Sequence, residues 1–176
     1  MTGHWNVAHH WHEPFPYGDT TTYELAEAWL RDCKLVEDWG CGLGWSRRYF
    51  RAGQWRGIDG SKSPTVSEVV DLAQYRSQVP GILMRHVLEH NDDWAMILDN
   101  ALNSFTERMA LILFTPMAEK TGVIAWNCGY EVPDISFRAL DLESRFPGNV
   151  DFRDVEDLHT NTLYGVERIY YLARRR

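Results

Sequence analysis

The segment His86-Val-Leu-Glu89-His90 places two imidazoles and a carboxylate close together in the chain. An imidazole with a pKa of about 6.5 can take a proton from a hydroxyl group at neutral pH. The same HxxEH order can bind zinc when both histidines lie on one helix. The apolar run at 82–84 predicts a strand leading into His86, so we expect no shared helical face and no metal. His86, His90 and Glu89 are therefore candidate bases, together with His159 in a later loop.

A second chemical feature is the glycine-rich segment VEDWGCGLGWS at 36–46. Glycines after a strand let backbone amides approach a bound nucleotide-like ligand closely. The dinucleotide pattern GxGxxG would need glycine where Trp45 stands, which disfavours a nicotinamide cofactor. No GK followed by Ser or Thr comes after the glycines, which excludes a P-loop NTPase.

The residues from Asp38 to Gly44, DWGCGLG, resemble the first motif of the class I S-adenosylmethionine-dependent methyltransferases. In that family the loop wraps the methionine half of the cofactor. The resemblance implies that Asp59, 19 residues after Gly40, accepts both ribose hydroxyls. It also implies that Asp71 meets the adenine amino group, with Leu72 packing on the ring.

The segment 84–94, MRHVLEHNDDW, resembles the His-x-x-Glu-His run of small-molecule members of the same family. The resemblance makes His86, at the end of the fourth strand, the first candidate for the base. Tyr17 resembles the aromatic residue that closes over the methionine end, and Trp11 is a candidate for the acceptor pocket. The other cofactor contacts that the resemblance implies are Asp38, Gly40, Cys41, Gly42, Gly60, Ser61 and Arg85.

Apolar periodicity places these residues on alternating strands and helices. It predicts strands at 34–39, 56–59, 69–72, 81–87 and 109–114 and a hairpin of 150–155 with 166–173. It predicts helices from Asp19 to Leu30, at 45–52, from Asn91 to Phe105 and at 134–146. The connections 59–69 and 72–81 are too short for the full helices usual in the family.

This alternation predicts a doubly wound α/β fold with a mostly parallel sheet and an antiparallel C-terminal hairpin. The resemblance implies seven strands in a Rossmann-like class I arrangement. Residues 1–32 would form an N-terminal arm and lid helix, and 33–176 the S-adenosylmethionine-binding part of one structural domain. Ligands of such sheets bind at the carboxyl ends of the strands.

The composition of the chain limits the kinds of partner that we expect it to bind. The formal net charge of -7 disfavours nucleic acid and anionic membranes as partners. No apolar run is long enough to span a bilayer, so we expect a cytoplasmic protein without a membrane segment. Three cysteines without CxxC spacing predict free thiols. The arm residues His4, His9, His10 and His12 are compatible with a transition metal, a substrate lid or plain exposure.

The sequence thus predicts an S-adenosylmethionine-dependent methyltransferase. The chain lacks both the Asp/Asn/Ser-Pro-Pro-aromatic motif of amino-methylating DNA enzymes and a Pro-Cys pair of the cytosine type. This favours O-methylation of a small-molecule, sugar or lipid-like acceptor, with protein acceptors still open. The alternatives are a non-catalytic binding module of the same fold and a nicotinamide oxidoreductase.

Overall fold

The structure is a computed structural model that describes residues 17–127 and 132–175. Expectations for the N-terminal arm, including Trp11, its four histidines and any metal there, lie outside the described residues, as does Cys128. Within the described residues, no helix is both long enough and apolar enough to cross a membrane.

The described residues form strands in two sheets. The strands are β1 (Val36–Trp39), β2 (Trp55–Asp59), β3 (Val66–Val69), β4 (Val79–Arg85), β5 (Phe105–Leu113), β6 (Gly122–Asn127), β7 (Val132–Ser136), β8 (Val150–His159) and β9 (Val166–Arg174). Seven of them build the main sheet in the order β3-β2-β1-β4-β5-β9-β8, and β6 pairs with β7. Strands β1 to β5 pair in parallel, and β9 pairs antiparallel to both β5 and β8. The predicted doubly wound sheet with an antiparallel C-terminal hairpin is confirmed.

Helices cover the two faces of this sheet because their apolar residues recur with helical spacing. Helix α1 (Thr21–Leu30) buries Ala26 and Leu30 on one face, in a cluster with Val36 of β1. Helix α2 (Trp94–Ser104) buries Ile97, Leu98 and neighbouring residues on the other face. The short helix α3 (Ala139–Glu143) adds Leu142 to that second core.

Three local predictions were wrong. The helix predicted at 45–52 is a 3-10 turn, Trp45–Tyr49, after which Phe50 has extended backbone. The third strand is β3 instead of 69–72, because the Asp71 carboxylate accepts the Ala73 amide and turns the chain there. Of the helix predicted at 134–146, only α3 is helical. Residues before it form β7, which pairs with β6, a strand that the sequence did not predict.

The two short connections do lack full helices, as predicted. Residues 60–65 and 70–78 contain neither an α-helix nor a 3-10 helix. The second connection is fastened to α2 instead, because Asn100 donates to the carbonyls of Leu72 and Ala73 at 3.1 and 2.8 Å. The Ser104 hydroxyl accepts the Ser77 amide at 3.0 Å in the same region.

Candidate functional site

The order of the strands reverses between β1 and β4, so the chain segments after these two strands lie side by side. Gly40 follows β1 with φ +75°, a conformation that L side chains rarely adopt. A Cβ atom on Gly40 would lie 2.3 Å from the Val87 side chain. The glycine turn and the HxxEH segment are therefore in direct contact at the point where doubly wound sheets bind ligands.

Asp59, at the end of β2, organises the glycine turn. Its Oδ2 accepts the Gly42 amide at 2.8 Å, and its Oδ1 accepts the Ser61 amide at 2.7 Å. The Ser61 hydroxyl is buried and has no hydrogen-bond partner among the described residues. Gly60 lies between them, so a carboxylate and a hydroxyl group are both buried within this turn.

Asp38 lies beneath the turn. Its carboxylate accepts the Ser46 hydroxyl and, at 3.4 Å, the Trp55 indole N–H. The side chain is buried, which raises the pKa of Asp38 to about 6. These contacts tie β1 to the 3-10 turn that follows the glycines, so Asp38 supports the glycine turn from within the protein.

Three other predicted cofactor contacts occupy different surroundings. The Cys41 thiol lies against Gly57, where a Cβ would meet Sγ at 2.7 Å, and burial raises its pKa well above the ordinary value. Asp71 is exposed after β3, where its carboxylate accepts the Ala73 amide at 2.9 Å. Leu72 is 0% exposed in the larger core cluster, so its side chain offers no surface to an adenine ring in this conformation.

His86 follows β4 directly and has φ +57°, uncommon for a residue other than glycine. Its Nε2 lies 2.6 Å from Oε1 of Glu167, while Nδ1 is buried without a hydrogen-bond partner among the described residues. The ring packs near Tyr17 and Phe114, with centroid distances of 5.6 and 4.8 Å. Burial, and then the charge of Arg85, lower the pKa of His86 well below its ordinary value.

Arg85, at the end of β4, is surrounded by protein acceptors. Its Nε donates to the Thr22 hydroxyl at 2.9 Å and its Nη1 to the Tyr23 hydroxyl at 2.9 Å. Its Nη2 donates to the Tyr17 carbonyl at 2.7 Å and lies 2.8 Å from Oε1 of Glu167. The predicted role of Arg85 in cofactor binding stays a prediction. In this structure the guanidinium fixes α1 and Tyr17 over the end of β4.

Glu89 and His90 lie on a 3-10 turn, Leu88–His90, and not on an α-helix with His86. The Glu89 carboxylate is fully buried, accepts the Phe114 amide at 2.6 Å, and has its pKa raised by burial to about 7. Within the part of the chain that the structure describes, no three His, Cys, Asp or Glu side chains group as a metal site.

His90 belongs to a second polar chain at the same edge of the sheet. Its Nδ1 lies 3.0 Å from the Pro133 carbonyl and 3.3 Å from Oδ1 of Asp134. The Tyr164 hydroxyl donates to Oδ2 of Asp134 at 2.7 Å. Burial lowers the pKa of His90, but the hydrogen bond with Asp134 and the nearby Glu89 outweigh it, so the pKa is raised overall.

His159 is separated from this cluster. It ends β8, the edge strand of the sheet, and its side chain is exposed. Strand β8 runs in the same direction as β5, so His159 shares the carboxyl edge with His86, but β9 and β5 lie between β8 and β4. The role of His159 as a base stays a prediction.

Sequence reasoning missed Glu167, the partner of His86. The sequence contained one signal for it, the alternation of Glu167 with Ile169 and Tyr171 along the predicted strand. In the structure all three side chains are buried. A glutamate in the inward-facing register of a strand is rarely left unpaired. What the sequence could not supply was the identity of the partner, 81 residues earlier.

Comparison with solved structures identifies the architecture. A magnesium protoporphyrin IX methyltransferase from Synechocystis with bound S-adenosylhomocysteine superimposes with a TM-score of 0.65 at 19% identity, over 88% of this chain and 83% of that one. A 1,6-didemethyltoxoflavin-N1-methyltransferase from Burkholderia thailandensis gives a TM-score of 0.66 at 16% identity, over 89% and 79%. The chain has the class I methyltransferase fold.

The class I methyltransferase fold by itself does not define a reaction. A 4+2 cyclase superimposes with a TM-score of 0.58 at 12% identity, over 87% of this chain and 80% of that one. The sequence matches no protein-family model, and no curated protein matches it in sequence. The reaction therefore depends on the residues at the carboxyl edge of the sheet.

Proposed function

We propose that the protein is an S-adenosylmethionine-dependent methyltransferase that methylates a hydroxyl group of a small-molecule, sugar or lipid-like acceptor. The observation that carries this proposal is the glycine turn tied to Asp59 where the strand order reverses between β1 and β4. The same fold in methyltransferases crystallised with S-adenosylhomocysteine supports it.

The residues present fit the cofactor. An ionised carboxylate accepts hydrogen bonds at both oxygens, so Asp59, which holds the glycine turn through Gly42, is the type of group that binds ribose hydroxyls. The buried Ser61 hydroxyl supplies a further donor or acceptor in the same turn. Gly40 and Gly42, both with positive φ, add no side chains to the turn that would contact the methionine half. Gly60, Cys41, Tyr17, Asp71 and Arg85 complete the proposed cofactor contacts. Leu72 is fully buried and would need a change of conformation to pack on the adenine ring.

When bound, S-adenosylmethionine supplies a methyl group on a sulfonium that is already a good leaving group. The protein's main task is then to align the acceptor and remove its proton, and alignment alone can contribute about 7–11 kcal/mol in favourable cases. We assign removal of the acceptor's proton to His86. This residue is adjacent to the glycine turn through Val87, and its surroundings keep the imidazole neutral. His90 and His159 are the second and third candidates for this role.

We infer the class of acceptor from the net charge of the protein and from its structural neighbours. The net charge of -7 opposes a nucleic-acid acceptor. Two structural neighbours are named for the small molecules magnesium protoporphyrin IX and 1,6-didemethyltoxoflavin. We therefore place the acceptor among small molecules, and the histidine base favours oxygen as the methylated atom.

Calorimetric titration tests the proposal. We expect S-adenosylmethionine and S-adenosylhomocysteine to bind and NAD not to bind. Asp59→Ala should abolish binding of both, whereas His86→Ala should bind both and lose methyl transfer. Asp32→Ala is the matched control, because Asp32 precedes β1 at the opposite end of the strands and its exposed carboxylate lies 3.3 Å from Arg108. Binding of NAD alone would refute the proposed function.

Binding without transfer has a different meaning. If the wild-type protein binds S-adenosylmethionine but transfers no methyl group to any of a broad set of hydroxyl compounds, the non-catalytic binding module becomes the better description. The cyclase of the same fold makes that outcome a concrete alternative.

A further inference from the structure

Glu167 collects three neighbouring groups on a single carboxylate oxygen. Its Oε1 accepts the Thr22 hydroxyl at 2.9 Å and lies 2.8 Å from Nη2 of Arg85 and 2.6 Å from Nε2 of His86. The carboxyl group is fully buried, and the Arg85 side chain is 5% exposed. Helix α1, strand β4 and strand β9 therefore meet at this one atom.

The charges around Oε1 fix the direction of the hydrogen bond to His86. Arg85 is always charged and has only donors, and the Thr22 hydroxyl also donates, so Oε1 acts as an acceptor toward both. Burial raises the pKa of Glu167, and the Arg85 guanidinium opposes that rise. An ionised Glu167 beside a neutral imidazole requires the proton to be on Nε2 of His86.

The other imidazole nitrogen is thereby left without a proton. Nδ1 of His86 is buried and has no hydrogen-bond partner among the described residues. An unpaired buried acceptor in a native structure calls for an explanation. The left-handed backbone of His86 is a second unfavourable feature at the same residue. Strain that coincides with an unused acceptor is typical of a functional position.

We propose that Glu167 is a positioning residue that holds His86 in the Nε2–H tautomer and keeps Nδ1 as the base for the acceptor hydroxyl. The identity of that hydroxyl rests on the proposed function; the tautomer does not. In the step, the acceptor oxygen bonds to the methyl carbon and the methyl–sulfur bond breaks with its electron pair left on sulfur. The hydroxyl proton goes to Nδ1, and the Glu167 carboxylate stabilises the imidazolium that forms.

The tautomer can be measured on the whole protein without cofactor or acceptor. In protein labelled with 15N, two-bond proton–nitrogen correlations of the imidazole ring distinguish a protonated from an unprotonated nitrogen, and His86 is assigned through its backbone. We expect a single tautomer from pH 6 to 8, with the proton on Nε2. A wild-type proton on Nδ1, or a charged ring in this range, would overturn the proposal.

Variants separate the role of Glu167 from a general structural one. Glu167→Ala removes the acceptor, so we expect the single tautomer to become a mixture. Glu167→Gln keeps an acceptor oxygen and should restore the Nε2–H form. The matched control is Thr22→Val, which removes a different donor from the same oxygen and should leave the tautomer unchanged. If Glu167→Ala does not fold, the wild-type and Glu167→Gln spectra still decide the question.

The two proposals can fail separately. Failure of S-adenosylmethionine to bind in calorimetry would refute the proposed function and leave the tautomer measurement intact. A Thr22→Val protein that loses the tautomer as Glu167→Ala does would show that the hydrogen-bond network as a whole sets it. That result would refute the specific role of Glu167.

Discussion

At the scale of single residues, the carboxyl edge of the sheet contains buried acidic groups. Neighbouring hydrogen-bond donors offset only part of the cost of burying their negative charge. Burial raises the pKa of Glu89 from its ordinary value of 4.5 to about 7, and that of Asp38 from 3.8 to about 6. A carboxyl group whose pKa is higher in the folded state destabilises the fold when ionised. The penalty is complete above the folded pKa and disappears below the ordinary value, so these groups favour folding at lower pH.

We predict that Glu89→Gln stabilises the protein at pH 8 and has little effect near pH 4.5. The amide of the variant would be neutral at both pH values, while its carbonyl can still accept the Phe114 amide. At about 1.4 kcal/mol per pH unit between the two pKa values, the gain at pH 8 is about 3–4 kcal/mol. Urea unfolding at the two pH values measures it.

Glu107→Gln is the control for that experiment, because Glu107 is exposed on β5. It should change the unfolding free energy by less than about 0.5 kcal/mol at either pH. A Glu89→Gln variant that is equally destabilised at pH 8 and pH 4.5 would show that the buried carboxylate is compensated by groups other than the Phe114 amide.

At the scale of elements, α2 stabilises the 70–78 connection, which has no helix of its own. Asn100 is 2% exposed and binds two carbonyls of the 70–78 connection, and its own oxygen accepts Nε of Arg76 at 3.0 Å. One helical side chain therefore fixes the segment that carries Asp71. This explains how a connection without a helix can keep a defined conformation.

We expect Asn100→Ala to destabilise the protein by about 1–3 kcal/mol, because it leaves buried carbonyl groups without donors. Hydrogen exchange should also accelerate at the amides of residues 73–77, measured by mass spectrometry of the corresponding peptides. Asn103→Ala is the control, since Asn103 is exposed and its side chain donates to the Asp99 carbonyl of its own helix. Equal effects of the two variants would contradict the proposed role of Asn100.

The sequence predicted those elements whose apolar period is unambiguous. Helix α2 and strand β5 were placed correctly because their apolar stripe and apolar run are long. Residues 134–136 of β7 were predicted as helix, because the strand depends on pairing with β6 and on the Thr115 hydroxyl, which donates to the Ile135 carbonyl at 2.8 Å. Such pairings between distant segments leave no local pattern.

The same distinction applies to the candidate site. Asp59 and His86 could be predicted as candidates because each lies at the end of a strand near the glycine turn, and the structure brings both to the same edge of the sheet. The polar partners of the two HxxEH histidines are Asp134 of β7 and Glu167 of β9, and Tyr164 from the loop before β9 donates to Asp134. These contacts form only through the tertiary fold, so no spacing in the sequence indicated which residues pair.

At the scale of the whole molecule, the charge makes a prediction about partners. A net charge of -7 repels phosphate backbones, and the carboxyl groups of Asp38, Asp59 and Glu89 are buried near the proposed site. We expect single- and double-stranded oligonucleotides to bind no more tightly than about 10⁻⁴ M at physiological salt, the weak end of non-specific binding. Fluorescence anisotropy of labelled DNA and RNA measures this.

Lowering the salt concentration provides the internal control for that measurement. Since like charges repel more strongly at low ionic strength, binding should not strengthen as salt is removed. Submicromolar binding that strengthens at low salt would reveal a local basic surface and would reopen nucleic acid as an acceptor.

The contact between Gly40 and Val87 makes substitutions in two segments, 47 positions apart, depend on each other. A side chain at position 40 would strike Val87, so a change in either loop limits what the other can accept. Among relatives, the two positions should covary in size. Transplanting the HxxEH segment into another scaffold would require moving the glycine turn with it, because the two segments pack as one unit.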